Sequence, residues 1–211
     1  MKNDMVENKD IEFVKECIKD WYNKCPEGLV TLESKELLGY DIEDGGVPKD
    51  MEDGKADDEG YVKWKLTPSS IDEESIQNIE DEYNIHFPKL YRSYLMSYHH
   101  LGICLKNKQM NIYLPEIPSD LPLKQIEFQL DAWKPLVDAG YIPFGDYEDG
   151  WGPVCFDIMN RNENDDCSII WFDHEELFKG DFEKGKSRLE LDKMKKKLYS
   201  SFQELMSNLC L

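Results

Sequence analysis

The stretch GYIPFGDYEDGWGPVCFD occupies residues 140–157, and SIIWFDHE follows at residues 168–175. Three short runs here are rich in β-branched and aromatic residues and are bounded by Gly, Asn and Asp, which is typical of β-strands. They are Tyr141–Phe144, Pro153–Ile158 and Ser168–Phe172. The last run is apolar almost throughout, as expected for a strand covered on both faces. We therefore predict that this region forms the centre of a sheet on which the other segments pack.

Outside this region, hydrophobic periodicity predicts helices and a few further strands. Apolar residues recur at helical spacing over residues 10–25, 70–84, 88–98, 123–133 and 201–209. Residues 61–66 alternate like a strand, and residues 103–114 suit a β-hairpin. Ser70 with Glu73 is expected to cap the second helix, and Asn84 to end it in a left-handed conformation. This order predicts an α+β fold with a mostly antiparallel sheet of about five to six strands packed by helices.

The net charge of the chain indicates which class of partner it can bind. Its 211 residues carry a formal net charge of −19. Such a field repels phosphate groups and attracts basic surfaces, so we expect a basic protein partner and no nucleic acid. Acidity could also serve solubility alone. The sequence does not determine the oligomeric state.

Location follows from what the sequence lacks. There is no run of about 18 apolar residues, so no membrane span is expected. The first residues lack the apolar stretch of a secretory signal. The six cysteines are dispersed through the chain and show no close pairing. We therefore predict a cytoplasmic protein whose thiols are reduced.

Residues 41–60 differ in composition from the rest of the chain. They contain nine acidic residues, two lysines and four glycines, which predicts a mobile acidic loop. The glycines and carboxylates do not have the offsets of a calcium-binding loop. We accordingly divide the chain into an extension over residues 1–60, with a helix and this loop, and a domain over residues 61–211.

Candidate site residues gather at the ends of two predicted strands. They are Asp146, Glu148, Asp149 and Trp151 in one turn, and Asp173, His174 and Glu175 after the other strand. Together with Asp157, such a set could bind a divalent metal or perform acid–base chemistry. The same residue types also form turns and cap helices. Trp151 would suit either a protein interface or a core.

No motif for catalysis or cofactor binding supports the enzymatic alternative. The sequence lacks a P-loop, a dinucleotide fingerprint and a nucleophile elbow. Its cysteines lack the spacing of zinc ligands. We therefore assign no catalytic residue, no cofactor and no metal, and we favour a structural or partner-contact use of the seven candidates. His99 and His100 are predicted to end a helix, and Lys193 with Lys195–Lys197 to form a solvated helix face.

The order of several short segments resembles the SUKH superfamily, which contains fungal cell-wall-assembly regulators linked to killer-toxin resistance and many bacterial relatives. Pro88, Tyr91, Arg92 and Leu95 match its Pro-x-x-Tyr-Arg-x-Phe-Leu-like segment, with Tyr94 where Phe is commoner. The stretches that resemble its later motifs are Ile142–Asp146, Gly150–Asp157, Ile169–Glu175 and Ser201–Leu205. The resemblance extends from about Tyr61 to Leu209.

The resemblance implies an α+β fold and a protein that acts by binding. Most bacterial members are thought to be immunity proteins that neutralise a cognate toxin, often a nuclease, whereas the fungal members are regulatory binding proteins. The superfamily has no established catalytic set. Two functions are therefore open: an immunity protein for a toxin, or a regulatory or scaffold protein for an endogenous partner. In either case, the seven candidate residues are the predicted contact surface.

Overall fold

The computed structural model describes residues 6–36, 45–106, 111–148, 150–179 and 185–209. The helices in these ranges are α1 (Asn8–Lys24), α2 (Glu73–Tyr83), α3 (Lys89–Leu95), α4 (Lys124–Ala132), α5 (Lys134–Asp138), α6 (His174–Leu177), α7 (Arg188–Met194) and α8 (Phe202–Leu209). The strands are β1 (Thr31–Glu33), β2 (Tyr61–Lys63), β3 (Thr67–Pro68), β4 (Tyr98–His99), β5 (Cys104–Lys106), β6 (Asn111–Tyr113), β7 (Tyr141–Tyr147), β8 (Gly152–Asp157), β9 (Ile169–Trp171) and β10 (Lys196–Tyr199).

The main sheet has six antiparallel strands in the order β10-β9-β8-β7-β6-β5. The predicted α+β class and mostly antiparallel sheet are thereby confirmed. β7 and β8 form the central hairpin, in which Ile142 pairs with Phe156. The predicted hairpin over residues 103–114 is the pair β5–β6. Two small two-stranded sheets, β1–β2 and β3–β4, lie outside the main sheet.

One face of the sheet bears the larger core. Phe144 and Phe156 project from β7 and β8 and stack with their ring centroids 4.1 Å apart. Tyr91 of α3 contacts Phe156 edge-on at 5.0 Å and meets Phe202 of α8 at 5.5 Å. Aromatic pairs of this kind stabilise a core beyond the area they bury. α3 and α8 are therefore held on this face by rings from four different elements.

The opposite face has a smaller core. Neighbouring residues of one strand enter different clusters, since Cys155 packs on this side while Phe156 packs on the other. Ile170 and Phe172 likewise alternate with Ile169 and Trp171. This confirms the expectation that residues 168–172 are covered on both faces. The second cluster comprises Leu136, Tyr141, Cys155, Ile170, Phe172, Leu177 and Leu191.

Residues 47–52 of the acidic segment are packed onto the protein, whereas most of residues 53–59 are exposed. Val47 and Met51 are fully buried in the larger core, and Asp53 N–H donates to the Lys63 carbonyl oxygen at 2.7 Å. The expectation of a mobile loop is wrong for residues 47–52, because the two buried apolar side chains outweigh the acidic average composition of the segment. Residues 41–44 lie outside the described ranges. Helix α1 joins the same core through Val14 and Ile18, while the domain boundary at residue 60 stays a prediction.

Several local predictions need correction. Asp72, not Ser70, caps α2, because its carboxylate accepts the Ser75 N–H at 2.8 Å. Ser70 N–H instead donates to the His99 ring at 2.8 Å. His99 and His100 do not end a helix, since His99 lies in β4 and both side chains are buried. Asn84 does adopt the predicted left-handed conformation, with φ 51°.

The basic cluster near the C-terminus is split between two elements. Lys193 lies on α7, whereas Lys196 and Lys197 lie on the edge strand β10. The predicted solvated helix face is therefore wrong for these two residues and for Lys195, which follows α7 and binds the buried Asp157. Across the described ranges, no helix combines the length and the apolar character needed to cross a bilayer.

Burial of His100 makes stability depend on pH. Neither ring nitrogen has a hydrogen-bond partner among the described residues, and burial, followed by the nearby His99, lowers the pKa of His100 to about 3. The unfolded chain, with a pKa near 6.5, binds a proton between these values that the folded protein excludes. The contribution of His100 to the free energy of unfolding is thus fully present above about pH 6.5, and it decreases as the pH falls towards 3.

We expect His100→Phe to remove this dependence, since Phe keeps an aromatic ring that cannot titrate. Between pH 7 and pH 5, the fall in the free energy of unfolding should be about 2 kcal/mol smaller in the variant than in the parent. Urea denaturation at both pH values measures it. His86→Gln is the control, because Glu80 raises the pKa of His86 and its loss should not reduce the fall. If the free energy of unfolding decreases equally in the parent and in His100→Phe, this role of His100 is contradicted.

Candidate protein-binding surface at the end of the sheet

The two strand ends that carry candidate residues are neighbours in space. His174 N–H donates to the Trp151 carbonyl oxygen at 2.9 Å, which joins the β7–β8 turn to the end of β9. Gly152 permits this approach, because a Cβ atom there would lie 1.9 Å from the Phe172 carbonyl oxygen. Its φ of +149° is also one that other residues rarely adopt. The sequence left open whether these ends are neighbours, and the structure places them side by side.

Asp173 organises the second strand end. Its Oδ1 accepts the Glu175 N–H at 3.0 Å and the Glu176 N–H at 3.4 Å. It therefore caps α6, as the turn-forming interpretation predicted. Next to it, the His174 ring is exposed and lies 4.6 Å from the Phe178 ring and 6.3 Å from the Trp133 ring. The imidazole thus belongs to an aromatic group and not to a carboxylate pair.

Trp151 is exposed. It retains 65% of its accessible surface, which rules out the core alternative that the sequence left open. Its own N–H donates to the Tyr147 carbonyl oxygen at 2.9 Å and closes the turn. The Tyr147 ring stacks on Trp171 at 4.2 Å with an interplanar angle of 9°. This stack supports the base of the turn from within the sheet.

Glu148 and Asp146 are engaged elsewhere. The Glu148 carboxylate accepts the Asn111 backbone N–H at 2.8 Å and its side-chain N–H at 2.9 Å, so it attaches β6 to the turn. Asp146 lies within β7, not in the turn, and its Oδ2 is 3.5 Å from the Gln129 side-chain nitrogen. Asp149 lies outside the described residues. The seven candidates therefore do not form one cluster.

Asp157 lies at the opposite end of β8 and is bound to cations. Its Oδ1 accepts a hydrogen bond from Arg188, and its Oδ2 lies 2.8 Å from Lys195 Nζ. Burial acts to raise the pKa of Asp157, but hydrogen bonds from Lys195 and Arg188 outweigh it and hold that pKa below its usual value. Across the described residues, no three His, Cys, Asp or Glu side chains form a group that could hold a metal ion.

We name four candidate residues and one neighbour the strand-end surface: Trp151, Asp173, His174, Glu175 and Phe178. Sequence reasoning missed Phe178, although its position four residues after His174 is the spacing of neighbours on a helix. It also missed Lys196, whose Nζ lies 4.4 Å from the Trp171 ring and 3.9 Å from Asp173 Oδ2. Only the sheet pairing of β10 with β9 brings that lysine here.

Residues 70–208 match the model of the SMI1 / KNR4 family (SUKH-1). The chain belongs to the SMI1/KNR4 family. The match runs from just before α2 into α8 and includes the strand-end surface. No curated protein matches the chain. In this SUKH-1 protein, the segment that suggested the family is α3, and its Tyr91, Tyr94 and Leu95 are fully buried. That segment therefore supports the fold and does not contribute to the strand-end surface.

Gly152 gives a sharp test of how this surface is built. We expect Gly152→Ala to destabilise the protein by about 4 kcal/mol or more, because the new methyl group would collide with the Phe172 carbonyl oxygen. Gly150→Ala is the matched control: its φ is +95°, but open space surrounds a Cβ atom there. It should cost only about 1–2 kcal/mol of backbone strain. Urea denaturation compares the two, and equal losses would refute the close approach of β8 to β9.

Proposed function

We propose that this SUKH-1 protein acts by binding another protein, without catalysis, and that it is an immunity protein which neutralises a cognate toxin. Membership of the family supports a binding role in general. The observation that carries the proposal is the exposed Trp151 beside Asp173 and Glu175 on the strand-end surface. Tryptophan is enriched among the residues that contribute most to the affinity of protein interfaces.

Rigidity of the strand-end surface favours this use. The Trp151 carbonyl oxygen is bound to the His174 N–H, and the Asp173 carboxylate caps α6. The backbone of both segments is therefore ordered before a partner arrives. Binding then loses less conformational entropy than it would with a flexible loop, so more of the contact energy appears as affinity.

Charge indicates the kind of toxin. A nuclease holds phosphate groups with lysines and arginines, and a protein of net charge −19 would be attracted to such a surface. An acidic surface around a tryptophan can occupy the phosphate site and exclude the nucleic acid. We therefore propose a basic toxin domain, with a nuclease as the class that charge fits best.

Co-expression tests the toxin-binding role directly. The toxin domain encoded next to this gene should kill cells when expressed alone and should be tolerated when this chain is expressed with it. The two proteins should also co-purify. If cells die despite expression of the intact chain and no complex forms, the immunity role is wrong. Stable capture of a housekeeping or cell-wall protein would instead favour the regulatory alternative.

Trp151→Ala should weaken the complex with that toxin by about 2 kcal/mol, or roughly 30-fold in Kd. The association rate of the parent should also fall as salt rises from 50 to 500 mM, because the attraction between the two surfaces is screened. Leu189→Ala is the matched control, since Leu189 is equally exposed, at 68%, on α7. Surface plasmon resonance measures both effects. Equal Kd values for the two variants would exclude the strand-end surface as the contact.

A further inference from the structure

The main sheet ends in β10 on one side and in β5 on the other. The β5 edge is covered in part by α1, because Trp21 Nε1 donates to the Cys104 carbonyl oxygen at 2.9 Å. Among the described residues, no strand pairs with β10 on the side away from β9. Lys196 and Lys197, at the start of β10, are both exposed. This side of the sheet therefore ends in a short strand that solvent can reach.

The register of the strands shows which backbone groups of β10 point outwards. Phe172 N–H donates to the Pro153 carbonyl oxygen at 3.2 Å, so the backbone of Phe172 faces β8. In antiparallel strands this direction alternates from one residue to the next, so the preceding Trp171 faces β10. Trp171 pairs with Lys196, which therefore faces β9. The N–H and C=O of the next residue, Lys197, point away from the sheet, and no described backbone group bonds to them.

Lys196 and Lys197 lie on opposite faces of this edge. Lys197 pairs with Ile170, which enters the smaller core. Lys196 pairs with Trp171 of the larger core, and its Nζ lies 4.4 Å from the centroid of that ring. The same Nζ lies 3.9 Å from Asp173 Oδ2, but the Lys196 side chain remains 55% exposed. Lys197 forms no ion pair with any described residue. A strand added to this edge would thus meet a positive charge on each face.

Local charge decides which strand fits this edge, although the whole chain has a net charge of −19. At physiological salt charges are screened over about 8 Å, so a paired strand interacts mainly with the two lysines beside it. Opposite charges on directly paired residues stabilise a sheet, and like charges destabilise it. A second copy of β10 is disfavoured, because the register that joins the outward groups of Lys197 places the two Lys197 side chains opposite each other. Lysines on edge strands commonly prevent such pairing, and the same charges favour a strand that carries carboxylates.

We propose that β10 accepts an extended segment of a partner protein as a seventh, antiparallel strand, and that this segment carries two adjacent acidic residues. One carboxylate lies opposite Lys196 and the other opposite Lys197, on the two faces of the sheet. The backbone of the segment bonds to the outward N–H and C=O of Lys197. In such strand addition the main-chain hydrogen bonds give affinity and the side chains give specificity. The inference goes beyond toxin binding, because it assigns a second contact whose local charge is opposite to that of the chain as a whole.

A titration with strand peptides tests this inference without any toxin. The full chain, labelled with 15N, is titrated to about 5 mM with the acidic peptide acetyl-STVEEVTS-amide, and with acetyl-STVQQVTS-amide as a neutral control of the same shape. We expect a saturable NMR shift of the Lys197 amide with the acidic peptide only, and slower hydrogen exchange of its N–H, which should exchange fast in the free chain. Lys196→Gln and Lys197→Gln should each weaken binding about threefold. Lys24→Gln is the matched control, since Lys24 is equally exposed, at 57%, on α1.

Several outcomes would overturn the inference. They are the absence of a saturable shift, equal binding of the neutral peptide, shifts that spare Lys197, or unchanged affinity in both β10 variants whose spectra show an intact fold. Slow exchange of the Lys197 N–H in the free chain would also overturn it, because that group would then already be bonded within the protein. The titration contains no toxin, so its failure leaves toxin binding through Trp151 unaffected, and failure of toxin binding leaves the titration result intact.

Discussion

The contact on which the structure depends is that of the Tyr91 ring with the aromatic rings of the central hairpin. Tyr91 meets Phe144 at 5.6 Å and Phe156 at 5.0 Å, and Phe202 closes over the same group from α8. One side chain of α3 thus joins the sheet to the C-terminal helix. Because protein interiors are packed as densely as organic crystals, these rings determine where α3 and α8 can lie. The position of β7–β8, and with it the turn at Trp151, follows from that packing.

Coverage of the central strands on both faces determines where polar chemistry can occur. In β8, Cys155 and Phe156 point into separate cores, so neither face of the hairpin is available to a partner. Polar and exposed groups are confined to strand ends and to the edge of the sheet. The Trp151 turn is one such place, and the position of Asp146, whose carboxylate faces Gln129, is another. Asp157, at the far end of β8, shows a third use of such a position, because it holds Arg188 and Lys195 in an ion-pair network.

Much of the fold could be predicted because the hydrophobic residues of its helices and strands recur with a clear period. The strands at residues 141–172 and the helices with apolar stripes have patterns that few alternatives share. The predictions were wrong where the contacts of a few residues outweigh the average composition of their segment. Val47 and Met51 anchor an acidic segment, and His100 is buried despite its polarity. Asp72, not Ser70, caps α2, because Ser70 is bound to His99, a residue 29 positions away. Contacts between residues so far apart in the chain leave no pattern in the local sequence.

Periodicity and turn residues were enough to predict the α+β class and the central place of residues 140–175, since these local patterns specify strands and their hairpins. The partner of each carboxylate, by contrast, could be identified only in the folded protein. Glu148 accepts hydrogen bonds from Asn111, Asp157 binds Lys195, and Asp146 faces the side-chain nitrogen of Gln129. The physical reason is that a charged side chain is stabilised by whatever group lies within a few ångströms, and folding brings those groups from elements far apart in the chain.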